Sequence, residues 1–135
     1  MKVTRIRVQS SARPYSVVAG VGVIGHAARE IAELGHFSSM HVVSSPKVWR
    51  AAGKTVERGL HCSHRFALHL FNDAESAKHL GAVEHIARSL CQDGADRKAL
   101  IIAVGGGVVG DVAGFAAASF LRGVALVHIP TTLVA

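Results

Sequence analysis

The sequence predicts an α/β fold, a Rossmann-like and mostly parallel sheet with helices on both faces and an N-terminal strand hairpin. Short runs rich in β-branched residues alternate with segments whose apolar residues recur at helical spacing. The run at residues 99–104 is apolar throughout, which is typical of a strand buried on both faces of a parallel sheet. Three glycines, Gly105, Gly106 and Gly107, separate this strand from a helical pattern, as in a strand-to-helix turn.

The first elements are predicted from local patterns. Residues 3–8 alternate in polarity and residues 15–19 include two valines, and the short connection between them favours an antiparallel hairpin at an edge of the sheet. A helix should follow and end at Gly35, because the apolar residues before this glycine recur three or four apart. These residues are Ile24, Ala27, Ala28, Ile31 and Leu34.

The remaining elements alternate strand with helix. We expect strands at residues 40–44, 65–70, 99–104 and 124–129, and helices at residues 46–57, 76–91 and 112–121. Pro46 suits the first turn of its helix, and the helix at 76–91 places Leu80, Ile86 and Leu90 on one stripe. This alternation predicts parallel strands joined by helical crossovers.

The composition restricts the class of protein. Half of the 135 residues are hydrophobic and 18% are charged, which excludes disorder and suits one domain with one core. Asp111 and Arg122 interrupt the longest apolar stretch, and the N-terminus lacks the apolar core of a signal peptide. Cys62 and Cys91 form no CxxC pair and suit a reducing compartment. We therefore expect a soluble cytoplasmic protein with no membrane partner.

The net charge of +6 indicates an anionic partner. The basic residues are scattered, and the chain has one Trp and one Tyr, so few side chains could stack on bases. These features favour a small anionic ligand and argue against nucleic acid.

The histidines do not suggest a metal site. The segment at residues 61–64, His-Cys-Ser-His, has loose spacing and no third and fourth ligand nearby, so a chance cluster is the better interpretation. His79 and His85 fall on different faces of a predicted helix, and His128 is expected to pack within a strand. We assign no metal ligand in this chain.

The glycine-rich turn has the spacing of a dinucleotide-binding loop. Gly105, Gly107 and Gly110 fit G-x-G-x-x-G between a strand and a helix, where backbone N–H groups and the positive helix end face an anion. The acidic residue expected about twenty positions later is missing, because no Asp or Glu follows Asp111. No G-x-x-x-x-G-K-[ST] motif occurs, which excludes a P-loop. Taken alone, the glycines could also form a tight turn that serves only helix–sheet packing.

Three motifs occur in order in the last third of the chain: GGGVVGD at residues 105–111, AxxxRG at residues 118–123 and PTTL at residues 130–133. With these motifs the chain resembles the 3-dehydroquinate synthase family of sugar-phosphate cyclases. The likeness is close over the last third of the chain and loose over the middle. It implies that residues 1–135 are the NAD-binding N-terminal domain of a longer enzyme, without the family's C-terminal helical domain.

The resemblance also implies the residues of a site. Contacts to NAD are implied for Asp73, Glu75, Lys78, Gly106, Gly107, Val108, Val109, Gly110, Asp111, Thr131 and Thr132. Arg122 is implied to meet the substrate phosphate by reaching across a homodimer. Ser45 and Lys47 stand where the family often has Asp-x-Asn, which leaves the contacts to adenosine open.

Simpler roles are available for several of these residues. Asp73 and Ser76 could cap a helix, and Asp111 could act as a cap in the first turn of the glycine-loop helix. Thr131 and Thr132 could form an ordinary turn after Pro130.

The implied reaction converts 3-deoxy-D-arabino-heptulosonate 7-phosphate to 3-dehydroquinate and phosphate, a step of the shikimate route. The family uses NAD and a divalent metal, zinc or cobalt, whose ligands belong to the C-terminal domain. No catalytic residue is therefore assigned in this chain, which we expect to be inactive alone. Three alternatives stay open: a sister cyclase that makes 2-deoxy-scyllo-inosose, an epi-valiolone or aminodehydroquinate; a non-catalytic nucleotide-binding module; and an iron-dependent alcohol dehydrogenase.

Overall fold

The computed structural model describes residues 2–61 and 65–134. The chain begins with an antiparallel hairpin of β1 (Thr4–Val8) and β2 (Tyr15–Ala19). The hairpin forms a two-stranded sheet of its own, so the expectation that it lies at an edge of the main sheet is wrong. Two guanidinium nitrogens of Arg5 donate to the carboxylate of Glu30 at 2.7 and 2.8 Å and hold the hairpin against the first helix instead of along a strand.

The main sheet is parallel. Its described strands are β3 (Met40–Ser44), β4 (Phe66–Leu70), β5 (Leu100–Gly105) and β6 (Ala125–Pro130). Their order across the sheet is β4–β3–β5–β6, so β5 is central and β6 lies at an edge. The first residues of all four strands are aligned by the register, and the strands therefore end together at one edge of the sheet.

Two helical layers cover this sheet. They are formed by α1 (Ala27–Ala32) and α2 (Pro46–Leu60) on one face, and by α3 (Leu80–Gln92) and α4 (Gly107–Ser119) on the other. Alternate residues of β5 point to opposite layers: Ile102 packs with α1 and α2, and Ile101 packs with α3 and α4. The predicted α/β fold, with a mostly parallel sheet, helices on both faces and an N-terminal hairpin, is confirmed.

Two helix starts differ from the predicted ones. α4 begins at Gly107 instead of residue 112, because the preceding Gly106 is extended (ψ −161°) and the first turns of α4 bury apolar side chains. α3 begins at Leu80 instead of residue 76, after a 3-10 turn at Glu75–Ala77. The imidazole of His79, predicted on a helix face, instead caps α3 by accepting a hydrogen bond from the Ala82 amide at 3.3 Å.

The first predicted helix is divided. A 3-10 turn at Val23–His26 leads into α1, which ends at Ala32. Leu34, predicted on the apolar stripe, lies beyond the helix end and is 62% exposed. Among the helices that the structure describes, none combines the length and the hydropathy that crossing a bilayer requires.

Candidate functional site

The glycine loop connects the central strand β5 directly to α4. Gly106 is the N-cap of α4 and has no side chain with which to accept hydrogen bonds from the first-turn amides. The first hydrogen bond of the helix runs from the Gly110 N–H to the Gly106 carbonyl at 3.0 Å. The amides of Gly107, Val108 and Val109 therefore lie at the positive end of α4 without a capping side chain from Gly106.

The glycines of this loop have two different surroundings. A Cβ on Gly105 would lie 2.6 Å from Cβ of Val109, and one on Gly106 would lie 3.0 Å from Cγ2 of Thr132. Gly105 and Gly106 therefore allow close packing, which agrees with the interpretation of the motif as a tight turn. A Cβ on Gly107 would meet nothing within 4 Å among the described residues. The space beside Gly107 is thus open for another group to approach the backbone.

An ion pair brings two predicted residues together at this loop. Nζ of Lys78 lies 2.6 Å from Oδ2 of Asp111, and Oε1 of Glu75 lies 4.0 Å from the same nitrogen. The hydrogen bond to Asp111, more than its charge or that of Glu75, raises the pKa of the exposed Lys78 ammonium. The segment before α3 is therefore joined to α4 by three of the residues that the sequence implied.

Asp111 does not occupy the first turn of its helix. Because α4 begins at Gly107, Asp111 lies in the second turn, and the first turn contains no acidic residue. The interpretation of Asp111 as a cap is therefore wrong, and its carboxylate is directed to Lys78 instead.

Asp73 and Ser76 do not cap α3, since His79 fills that role. The turn around Asp73 is closed by its neighbour Asn72, whose Oδ1 accepts a hydrogen bond from the Ala74 amide at 3.0 Å. Asp73 is half-buried in the same loop as Glu75 and Lys78.

The threonine pair lies beside the glycine loop. The Thr131 amide donates to the Gly105 carbonyl at 3.0 Å, which fixes the end of β6 against the end of β5. The Thr132 methyl packs next to Gly106, and its hydroxyl donates to the Val134 carbonyl at 2.7 Å. The pair is thus close to the glycine loop, as the sequence implied.

Arg122 lies away from this cluster. It follows the C-terminal end of α4, whose thirteen residues span about 20 Å at the usual helical rise. Arg122 has a positive φ of 68°, and the preceding Leu121 has a φ of 47°, so a left-handed turn presents the exposed guanidinium. No carboxylate in residues 2–61 and 65–134 forms an ion pair with it.

Ser45 and Lys47 follow β3 at the same edge of the sheet as the glycine loop, since the Ser44 hydroxyl donates to the Val104 carbonyl at 2.7 Å. Ser45 is fully buried and caps α2, because its Oγ accepts a hydrogen bond from the Val48 amide at 3.2 Å. Lys47 is exposed in the first turn of α2. Ser45 therefore has a structural role as a helix cap, which explains why a serine stands at this position.

A cavity of about 730 Å³ borders the glycine loop and includes residues that sequence reasoning missed. Tyr15 and Val17 of the hairpin, Phe115 of α4 and His128 of β6 form its walls, beside Gly110. His128 is exposed, so the prediction that it packs within a strand is wrong. The imidazole borders the cavity next to Gly110, which has no side chain to cover the ring. No local pattern in the sequence signals that the hairpin reaches this cavity.

The described residues contain no group of three or more His, Cys, Asp or Glu side chains that could hold a metal ion. Of the segment at 61–64 weighed as a metal site, residues 62–64 lie outside the described residues. Cys91 is a free, exposed thiol on α3.

The parallel sheet, its two helical layers and the glycine loop define an α/β domain of the sugar-phosphate cyclase type. A crystal structure of 2-deoxy-scyllo-inosose synthase complexed with carbaglucose-6-phosphate, NAD+ and Co2+ superposes with a TM-score of 0.85 at 26% identity. The match covers 96% of this chain and 35% of that chain. The chain belongs to the 3-dehydroquinate synthase N-terminal family, whose model matches residues 68–135.

Curated relatives agree with this assignment. The chain is 37% identical over 95% of its length to the 3-dehydroquinate synthase of Solibacter usitatus. It is 39% identical over 97% of its length to that of Gloeobacter violaceus. The chain spans 35% and 37% of the lengths of these two relatives. The resemblance read from three short motifs is confirmed.

Proposed function

We propose that residues 1–135 are the NAD-binding N-terminal domain of a 3-dehydroquinate synthase. The observation that carries this proposal is the contact of Lys78 with Asp111, at 2.6 Å, beside a helix start with no capping side chain. NAD would be contacted by Asp73, Glu75, Lys78, Gly106, Gly107, Val108, Val109, Gly110, Asp111, Thr131 and Thr132.

The residues present fit a dinucleotide. The open space beside Gly107 lets a pyrophosphate reach the first amides of α4, which would donate to its oxygens. The Lys78 ammonium, held by Asp111, keeps hydrogen-bond donors for a further contact, and the Glu75 carboxylate can accept hydrogen bonds from ribose hydroxyls. A carboxylate from this loop would serve where the ordinary fingerprint has a later acidic residue.

NAD supplies reversible hydride transfer when it is bound. The residues of this chain would bind and orient it. The amides of the glycine loop would hold the diphosphate, and the Thr131–Gly105 hydrogen bond would keep the threonine pair beside them. The related 2-deoxy-scyllo-inosose synthase, which shares this fold, was solved with NAD+.

The reaction proposed for the whole enzyme is conversion of 3-deoxy-D-arabino-heptulosonate 7-phosphate to 3-dehydroquinate and phosphate. Identities of 37% and 39% to curated 3-dehydroquinate synthases support this substrate. The described residues do not fit a divalent metal, so zinc or cobalt would take its ligands from elsewhere in such an enzyme. We expect the 135-residue chain to be inactive alone.

Arg122 is proposed to bind the substrate phosphate of the second subunit in a homodimer. It is exposed, it has no carboxylate partner among the described residues, and a left-handed turn holds it outward. A planar guanidinium suits bidentate contact with a phosphate.

A second candidate is 2-deoxy-scyllo-inosose synthase, which the TM-score of 0.85 favours. Its identity of 26% is lower than the 37% to a 3-dehydroquinate synthase. A chimera in which residues 1–135 replace the matching segment of a curated 3-dehydroquinate synthase tests the first function. Retained phosphate release from the heptulosonate phosphate supports it, and loss of that activity in a chimera that still binds NAD+ would contradict it. The same exchange in a 2-deoxy-scyllo-inosose synthase, with phosphate release from glucose 6-phosphate, tests the second function.

Calorimetric titration of this chain with NAD+ tests the cofactor proposal. We expect one site per chain that is weakened in the Gly107→Ala variant. Lys54→Ala, a change at an exposed lysine of α2, is the matched control and should bind as the unchanged chain does. Absence of binding, or equal binding by the Gly107→Ala variant, would contradict the proposed site.

A further inference from the structure

Two buried histidines and two half-buried serines form a chain of hydrogen bonds under α3. Oγ of Ser39 lies 2.9 Å from Nε2 of His41, and Nδ1 of His41 lies 3.0 Å from Nε2 of His69. Nδ1 of His69 lies 2.8 Å from Oγ of Ser89 on α3. His41 is 1% exposed and His69 is 2% exposed.

The two rings join three elements of the fold. His41 belongs to β3 and His69 to β4, and both point to the sheet face that α3 covers. Their centroids are 5.2 Å apart with planes inclined by 29°. All four ring nitrogens have a partner, so the chain of contacts links the C-terminal half of α3 to the edge of the sheet.

When both rings are neutral, all of these hydrogen bonds can form at once, with the donors directed either towards Ser89 or towards Ser39. If both Nδ1 atoms carry the proton, His41 donates to His69, and His69 donates to Ser89. If both Nε2 atoms carry it, His69 donates to His41, and His41 donates to Ser39. One added proton is accommodated, because a charged ring donates at both nitrogens to acceptors. A second proton makes Nδ1–H of His41 face Nε2–H of His69, which breaks their bond and buries two like charges.

The charged groups around the rings have opposite effects on the pKa values of the two imidazoles. From α3 and its C-cap, His85 and Asp93 act on His69, and Oδ2 of Asp93 lies 3.7 Å from its Nε2. From the loop after α3, Asp96 acts on His41, while its carboxylate is also bonded to Ser38 and the Lys98 amide. The neighbouring strand β5 presents apolar residues to this face.

Burial is the largest influence on both imidazoles. It lowers the pKa of His41 and of His69, and the His41 ring lowers the pKa of His69 further. Asp93 opposes this shift at both rings without reversing it. In the unfolded chain both groups return to about 6.5. At pH values between the lowered pKa of the folded chain and the ordinary pKa of the unfolded chain, the unfolded chain binds more protons. The free energy of unfolding therefore falls as the pH falls below about 6.5.

We propose that the hydrogen-bonded pair His41–His69 is a pH-sensitive latch that stabilises the packing of the C-terminal half of α3 on the sheet at neutral pH and weakens this packing in acid. The hydrogen bonds of the latch include none of the residues proposed to contact NAD.

Chemical unfolding of the 135-residue chain at several pH values tests the latch. Between about pH 7.5 and about pH 5 the unfolding constant should rise at least about tenfold more for the unchanged chain than for the double variant His41→Asn with His69→Gln. Asn and Gln keep hydrogen-bonding groups in the core but do not titrate. The control His26→Gln removes an exposed histidine and should follow the unchanged chain. An equal rise in the double variant would overturn the proposal.

A second measurement needs no variant. Nitrogen-15 NMR of the imidazole rings at about pH 7.5 should show His41 and His69 neutral and in the same tautomer, with both titrating below the exposed histidines. Opposite tautomers, a charged ring at that pH, or midpoints equal to those of exposed histidines would overturn the latch, even if the double variant fails to fold.

Discussion

Nζ of Lys78 lies 2.6 Å from Oδ2 of Asp111, although one residue precedes α3 and the other lies in the second turn of α4. The contact brings a basic group to the edge of the glycine loop. Both side chains are exposed, so the pair is expected to add little to the stability of the fold. The pair instead fixes the position of the Lys78 ammonium against the second turn of α4, which follows the glycine loop.

Replacing Lys78 with alanine should weaken NAD+ binding about tenfold, since a charge-assisted contact to the cofactor is lost. The thermal midpoint should stay close to that of the unchanged chain, because both partners are solvated. Calorimetry and thermal unfolding measure the two effects. Lys54→Ala is the control, and a Lys78→Ala variant that binds NAD+ normally would remove Lys78 from the site.

Two glycines of the loop should respond differently to alanine. Gly105→Ala should cost about 1–3 kcal/mol of stability through overpacking, because its Cβ would lie 2.6 Å from Val109. Gly107→Ala should leave stability unchanged, because its Cβ meets nothing within 4 Å, and should block the approach of the cofactor. Denaturant unfolding with NAD+ titration separates the effects. Loss of stability in Gly107→Ala without loss of binding would show that this glycine only serves packing.

Ser45→Ala should lower the free energy of unfolding by about 1 kcal/mol, the usual cost of losing an N-cap. The Ser45 hydroxyl accepts a hydrogen bond from the Val48 amide at 3.2 Å. NAD+ affinity should not change. The neighbouring Lys47→Ala is the comparison and should leave stability unaltered. If Ser45→Ala instead reduces NAD+ affinity at equal stability, Ser45 belongs to the adenosine site.

Arg122→Ala in the chimera should reduce kcat/KM for phosphate release by at least about tenfold, since a bidentate phosphate contact is removed. Arg97→Ala, at another exposed arginine, is the control and should retain activity. Full activity of the Arg122→Ala chimera would exclude a role of this arginine in binding the substrate phosphate.

The layered fold could be predicted because its signals are local. Each strand of the main sheet is a short and largely apolar run, and burial of every residue in β5 is what its continuous hydrophobicity indicated. The start of α4 could not be predicted, because glycines have low helix propensity. Burial of Val109 and Val112 against the sheet overrides that propensity.

The arrangement of the candidate site could be predicted only in part from the sequence. The motif placed Asp111 in the glycine loop, but its contact with Lys78 depends on how the 3-10 turn before α3 projects towards α4. The exposure of His128 depends on its neighbour Gly110 in the cavity, and no local pattern in the sequence places these two residues together. The capping role of His79 was missed because Ser76 is the more common cap type.

Mapping NAD+ binding on the nitrogen-15-labelled chain tests the cofactor site at the level of single residues. Addition of NAD+ should shift the amide signals of residues 106–111, 75–78 and 131–132 together, with one common affinity. The amides of α2 should remain unchanged. Shifts confined to other surfaces, or no shifts at millimolar NAD+, would contradict the assignment of this glycine loop as the cofactor site.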